Sequence, residues 1–112
     1  MRKDRNYVRE ELADLWRKNV STIFDTLGIG GITKAEIGSK VGVSRQMIDR
    51  LLKHKAELTK IQFLAIYVVM KKRIDEMVCL ANWCIYSPNY RTKVYQAQDW
   101  FSEIENEAKK GL

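Results

Sequence analysis

Apolar residues recur over residues 7–27 at Val8, Leu12, Leu15, Trp16, Val20, Ile23, Phe24 and Leu27. Steps of mostly three and four draw one stripe along a helix, so a first helix is expected there. Gly28, Gly30 and Gly31 then break the pattern, because glycine reaches left-handed backbone angles cheaply and closes helices. Thr33 stands three residues before Glu36, the spacing at which a threonine oxygen caps the backbone and a glutamate reaches back to it. A second, short helix is therefore expected from Lys34, ended by Gly42. Ser44 caps a third, from 45 to about 53, with Ile48, Leu51 and Leu52 on one face. Arg45, Gln46, Asp49, Arg50 and Lys53 are left for the other face.

Beyond a polar stretch, Thr59 can cap a long helical segment reaching to about residue 86. Its inward positions are read as Ile61, Leu64, Ala65 and Val68, continuing through Met70, Ile74, Met77, Val78 and Ala81. Ser87 and Pro88 mark a break and a restart, since proline is accepted in a helix's first turn and not in its interior. A last helix over residues 89–109 carries the stripe Tyr90, Val94, Ala97, Phe101, Ile104 and Ala108, with Trp100 beside it. No repeat and no strand-like alternation of useful length is visible. The expected fold class is all-α, with about five helices.

Size and composition narrow this to one folded domain: 112 residues, 46% hydrophobic and 30% charged. The most apolar run, residues 61–70, is ten residues long and ends in Lys71, Lys72 and Arg73. A membrane-spanning helix needs about 20 residues, so no membrane segment is expected. The basic N-terminus runs into an amphipathic segment with no secretory signal. Cys79 and Cys84 are too few for a disulfide framework and read as reduced thiols, which suits a cytoplasmic protein. Charge changes the picture more. The net charge is +6, and residues 34–60 alone hold seven basic and three acidic groups, so most of the excess sits in a quarter of the chain.

That quarter contains KAEIGSKVGVSRQMIDRLLK, residues 34–53. Two short helices joined by a tight turn cross steeply, so the first needs a small residue at the crossing and the turn needs a glycine. Gly38 and Gly42 supply them, and Ile37, Val41, Val43, Ile48 and Leu51 supply a shared apolar core. In this pattern the segment resembles the helix-turn-helix of Cro and phage repressors, the lambda-repressor-like (XRE) family. The likeness is close over these twenty residues and looser over the preceding helix and the start of the following one. Gly38 stands where alanine is usual in that family, and the loop after Lys53 lacks the glutamate, asparagine and glycine common there.

The resemblance implies a DNA-binding unit over residues 1–74, with residues 75–112 a helical extension packed in the same domain. It also implies that the third helix enters the major groove while the second crosses the phosphates. Arg45, Gln46 and Arg50 are then the base readers: arginine gives two hydrogen bonds to guanine, and glutamine two to adenine. Lys34, Ser44, Lys53 and Lys55 become phosphate contacts. The implied function is a transcriptional regulator of a bacterial operon, phage or mobile element, acting on double-stranded DNA. One helix reads few bases, so a homodimer on a palindromic operator is expected. Met77, Trp83, Trp100, Phe101 and Ile104, large apolar residues at or beyond the expected boundary, are its candidate contacts.

A rival reading uses the same fold to bind protein, as an antirepressor, a polymerase-binding protein or a phage-carried inhibitor of host defence. The acidic, aromatic last helix motivates it, through Asp99, Trp100, Phe101, Glu103 and Glu107. RNA binding has no stacking motif behind it. Arg45, Gln46 and Arg50 also fit an ordinary solvated helix face, and residues 1–5 a basic arm or a frayed end. His54 has no partner at metal-ligand spacing, and the glycines at 28–31 lack the lysine and the preceding strand of a phosphate loop. No carboxylate stands at a spacing that suggests acid–base catalysis, so neither an enzyme nor a cofactor is expected.

Overall fold

The computed structural model describes residues 6–29, 31–52 and 58–112. Five helices follow one another: α1 (Glu10–Ile29), α2 (Lys34–Val41), α3 (Arg45–Leu52), α4 (Lys60–Asn82) and α5 (Pro88–Lys109). The fold is all-α, and the described residues contain no strand, only an isolated antiparallel bridge between Tyr7 and Thr59. No described helix is long and apolar enough to cross a membrane.

α1 and α5 run antiparallel and share a core with α4. From α1 come Leu12, Trp16, Val20, Ile23 and Leu27, all buried, on the stripe read from the sequence. Trp16 meets Phe63 edge-on with ring centroids 5.7 Å apart. Phe63 stacks on Tyr67 at 5.9 Å and Tyr67 on Phe101 at 5.0 Å, so one aromatic row ties three helices together. Arg9 fastens the two ends of the chain: its guanidinium donates to the Gly111 carbonyl at 2.6 Å and to the Glu107 carbonyl at 2.8 Å, and pairs with the Glu107 carboxylate at 3.1 Å. A cation at the C-terminal carbonyls of α5 also opposes that helix's dipole.

Several expectations are corrected. Residues 7–9 are not helical. Val8 is buried, but from an extended segment whose N–H donates to Leu58 O at 3.1 Å, so α1 starts only at Glu10. The first half of α4 is turned from the expected face: Ile61, Leu64 and Val68 are exposed and Ala65 half-buried, while Phe63, Ile66 and Met70 are buried. The run is apolar nearly all round, so spacing alone cannot choose a face; the stacking of Phe63 between Trp16 and Tyr67 does.

α4 also ends at Asn82, four residues early. Cys84 N–H donates to Ala81 O and Ile85 N–H to Leu80 O, each at 3.0 Å, the paired closure of a Schellman turn. Cys84 takes the left-handed position with φ 58°, where glycine is usual. In α5, Tyr90 is exposed and does not belong to the buried stripe.

Residue 74 lies in the middle of α4 and is no boundary; the extension is part of the core. Met77, Phe101 and Ile104, expected as dimer or partner contacts, are almost wholly buried in their own chain. They belong to the core shared by α1, α4 and α5, so they are not surface. Trp100 is half-buried beside Thr22 and Thr26, and of the five only Trp83 projects fully into solvent.

Candidate nucleic-acid interface

Thr33 starts α2 by accepting the Glu36 N–H at 3.2 Å, and Gly42 ends it in the left-handed conformation, φ 79°, with its N–H on Gly38 O. Val43 N–H donates to the same carbonyl at 2.8 Å. The chain thus doubles back on Gly38: a Cβ there would lie 2.5 Å from Val43 O, closer than real Cβ atoms approach. The requirement for a small residue at the crossing is stricter here than the alanine of the family pattern allows.

Ser44 then caps α3, its Oγ accepting the Met47 N–H at 3.1 Å. Ile48 and Leu51 are buried, with Ile37 of α2 beneath them, and Val41, Val43 and Met47 pack half-buried at the edge. This anchoring decides which face of α3 is left outward. Arg45, Gln46 and Arg50 are exposed on it, together with Ser44 at the helix entrance. The structure therefore gathers the three expected base readers and the expected cap on one open surface.

Lys34 stands differently from its expectation as a phosphate contact. Its Nζ lies 3.0 Å from Asp49 Oδ1, a bridge from the first residue of α2 to the middle of α3. Asp49 Oδ2 is also 3.9 Å from Arg45. Sequence reasoning assigned Asp49 no role, although its spacing of four from Arg45 is that of a helical ion pair and was a usable signal. The carboxylate links the two helices and lowers the positive charge of the face. Lys53 and Lys55, the other two expected phosphate contacts, lie outside the described residues, as do His54 and residues 1–5.

Away from this face, the resolved proton-affinity shifts belong to the α1–α4–α5 core. Burial, with a hydrogen bond to the Glu105 carboxylate, pushes the Tyr67 hydroxyl up to about 12. The same hydrogen bond lowers Glu105, and the Arg9 guanidinium lowers Glu107. These groups hold the helices together and take no part in the α2–α3 surface.

No family model matches this chain, and no curated protein or solved structure matches it either.

Proposed function

We propose that this chain is a sequence-specific DNA-binding transcriptional regulator of a bacterial operon, phage or other mobile element. α3 reads the major groove, and two copies act together on a palindromic operator. The observation that carries this is the α2–turn–α3 corner: two short helices locked at Gly38, presenting Arg45, Gln46 and Arg50 outward from a helix whose other face is anchored by Ile48 and Leu51. A rigid helix that opens on the bidentate donors Arg45 and Gln46 and carries Arg50 in its last turn has the form that base-edge recognition needs. Ser44 supports it, since accepting the Met47 N–H leaves its own hydroxyl proton for a phosphate oxygen. Occupying the operator would exclude or recruit polymerase.

The test is selection of bound sequences from a random duplex pool with the purified full chain, then titration of the winner at low and high salt. A palindromic motif is expected, with affinity falling steeply as salt rises. Arg45→Ala and Arg50→Ala should each relax the preference at one position by about 1–3 kcal/mol without loss of fold. An unenriched pool, with weak binding indifferent to both substitutions, refutes the reading and returns the search to a protein partner.

A further inference from the structure

A cleft of about 370 Å³ opens between α2 and α4, with the buried Ile32 in its wall. A second recess that shares Ile32, Lys40, Arg73 and Glu76 carries it on to Gly31 and Glu36. The lining changes character in order along this length. Val68 and Val69 stand at one end, the cations Lys40, Lys72 and Arg73 fill the middle, and the carboxylates of Glu36 and Glu76 mark the other end. The cleft thus runs apolar, positive, negative.

Four of these charges stand at spacings that favour neutralisation within a helix: Glu36 and Lys40 on α2, Lys72 and Glu76 on α4. Yet among the described residues none of these four side chains makes an ion pair or a hydrogen bond, while Lys71 and Asp75, at the same spacing on α4, pair at 3.4 Å. Both signs stand open to a ligand. We propose that the cleft binds a free α-amino acid with an aliphatic side chain. Its carboxylate meets Lys40 and Lys72, its ammonium group meets Glu36 and Glu76, and its side chain lies on Val68, Val69 and Ile32. A simple anion satisfies the cations and leaves the carboxylates unmatched, and a simple amine does the reverse. A peptide carries its two charged termini on different residues, whereas a free amino acid holds both on one carbon beside its side chain.

The size agrees. The volume lies at the lower end of the range of small-molecule sites, about 300–1,000 Å³. From Val69 to Glu76 the helix rises about 10 Å, and the long glutamate and lysine side chains shorten that span to the reach of a small ligand. The charge-assisted hydrogen bonds fix orientation, and the apolar wall adds burial. The inference rests on the operator reading only for its use. α2 carries the crossing at Gly38, so a ligand held by Glu36 and Lys40 on one side and by Lys72 and Glu76 on the other bears on how the α2–α3 corner is seated. Amino acid and operator then alter each other's affinity by the same factor.

Isothermal titration calorimetry of the full chain with L-leucine, in the absence of DNA, tests the site. Saturable binding with a Kd of about 1 mM or tighter is expected. Glycine, isocaproate and isoamylamine, which lack in turn the side chain, the ammonium group and the carboxylate, should each bind at least about tenfold more weakly. Lys72→Gln and Glu76→Gln, both at exposed positions, should each weaken leucine about tenfold while leaving the circular dichroism spectrum unchanged. No binding at about 10 mM leucine overturns the proposal. So does an analogue that binds as well as leucine, or binding indifferent to both substitutions. A chain that selects a DNA motif and binds no leucine overturns the cleft alone. A chain that binds leucine and selects no motif overturns the operator reading alone.

Discussion

Gly38→Ala separates two effects of opposite sign at the corner that carries the proposed function. Helix propensity favours alanine over glycine by about 1 kcal/mol in a helix interior, so on α2 alone the change should stabilise. The fold opposes it. The added methyl would sit 2.5 Å from Val43 O and 3.3 Å from the Ser44 carbonyl carbon. That is about an ångström short of ordinary contact. Neither neighbour is the free end of a side chain: Val43 is held by its own N–H on Gly38 O, and Gly42 donates to the same oxygen. Relief requires the turn to open. Overpacking of this kind costs typically about 1–3 kcal/mol, and its upper half applies where backbone must move, so the net loss should be about 1–2 kcal/mol. Thermal unfolding should show a Tm lower by about 4–8 °C. Gly28, inside α1 with nothing near a built Cβ, is the matched control, and Gly28→Ala should hold or raise Tm. A Gly38→Ala protein as stable as the wild type, or more so, would refute the steric account of this crossing.

The remaining predictions concern the core and the helix ends. Cys84→Gly should stabilise by about 1 kcal/mol in urea unfolding, because a left-handed angle is strained for any side chain; a loss instead would show that the Arg91 contact to its Sγ, at 3.2 Å, outweighs that strain. Phe101→Ala should cost about 3–5 kcal/mol, as a core truncation does, and a loss near zero would mean that α5 is not held as described. The carboxyls of Glu105 and Glu107 are lowered by folding, so their contribution is present above their unfolded values and is lost as pH falls through the lowered ones. Tyr67 is raised, so its contribution is present below about 10 and disappears as pH rises toward about 12; Tyr67→Phe should flatten that alkaline limb of stability against pH.

The helices were legible wherever a polar residue or a cap fixed the phase. Thr33, Gly42, Ser44, Thr59 and Pro88 each mark an observed helix end, and the α1 stripe is buried as read apart from Leu15, which is half-buried, and Val8, which precedes the helix. Legibility failed where the determinant was distant in sequence. The face of α4 near Phe63 is chosen by Trp16 and Tyr67 rather than by its own spacing. The end of α1 near Val8 is set by pairing with Leu58, fifty residues later in the chain. The outward face of α3 could be read because Ile48 and Leu51 leave only one way to bury it. The Lys34–Asp49 bridge could not, since nothing local brings residue 34 against residue 49.

That bridge bears on how the α2–α3 face would work. Seven cations in residues 34–60 suggest a strongly attractive surface, yet one carboxylate at its centre holds Lys34 at 3.0 Å and touches Arg45 at 3.9 Å. Both side chains of the Lys34–Asp49 pair are partly exposed, where such pairs contribute about 0–1 kcal/mol, so breaking it costs little. A phosphate approaching the start of α2 would therefore compete with Asp49 for Lys34 on nearly even terms. Away from a well-placed phosphate the lysine remains with the carboxylate, and the general attraction of the surface for any duplex is reduced. In the proposed complex Asp49 would hold Lys34 until a phosphate displaces it and would discount contacts that do not place a phosphate correctly. The same carboxylate lies 3.9 Å from Arg45, whose exchange in that complex would be with a base edge rather than a phosphate, so one residue would moderate both the positioning and the reading contacts proposed for α3.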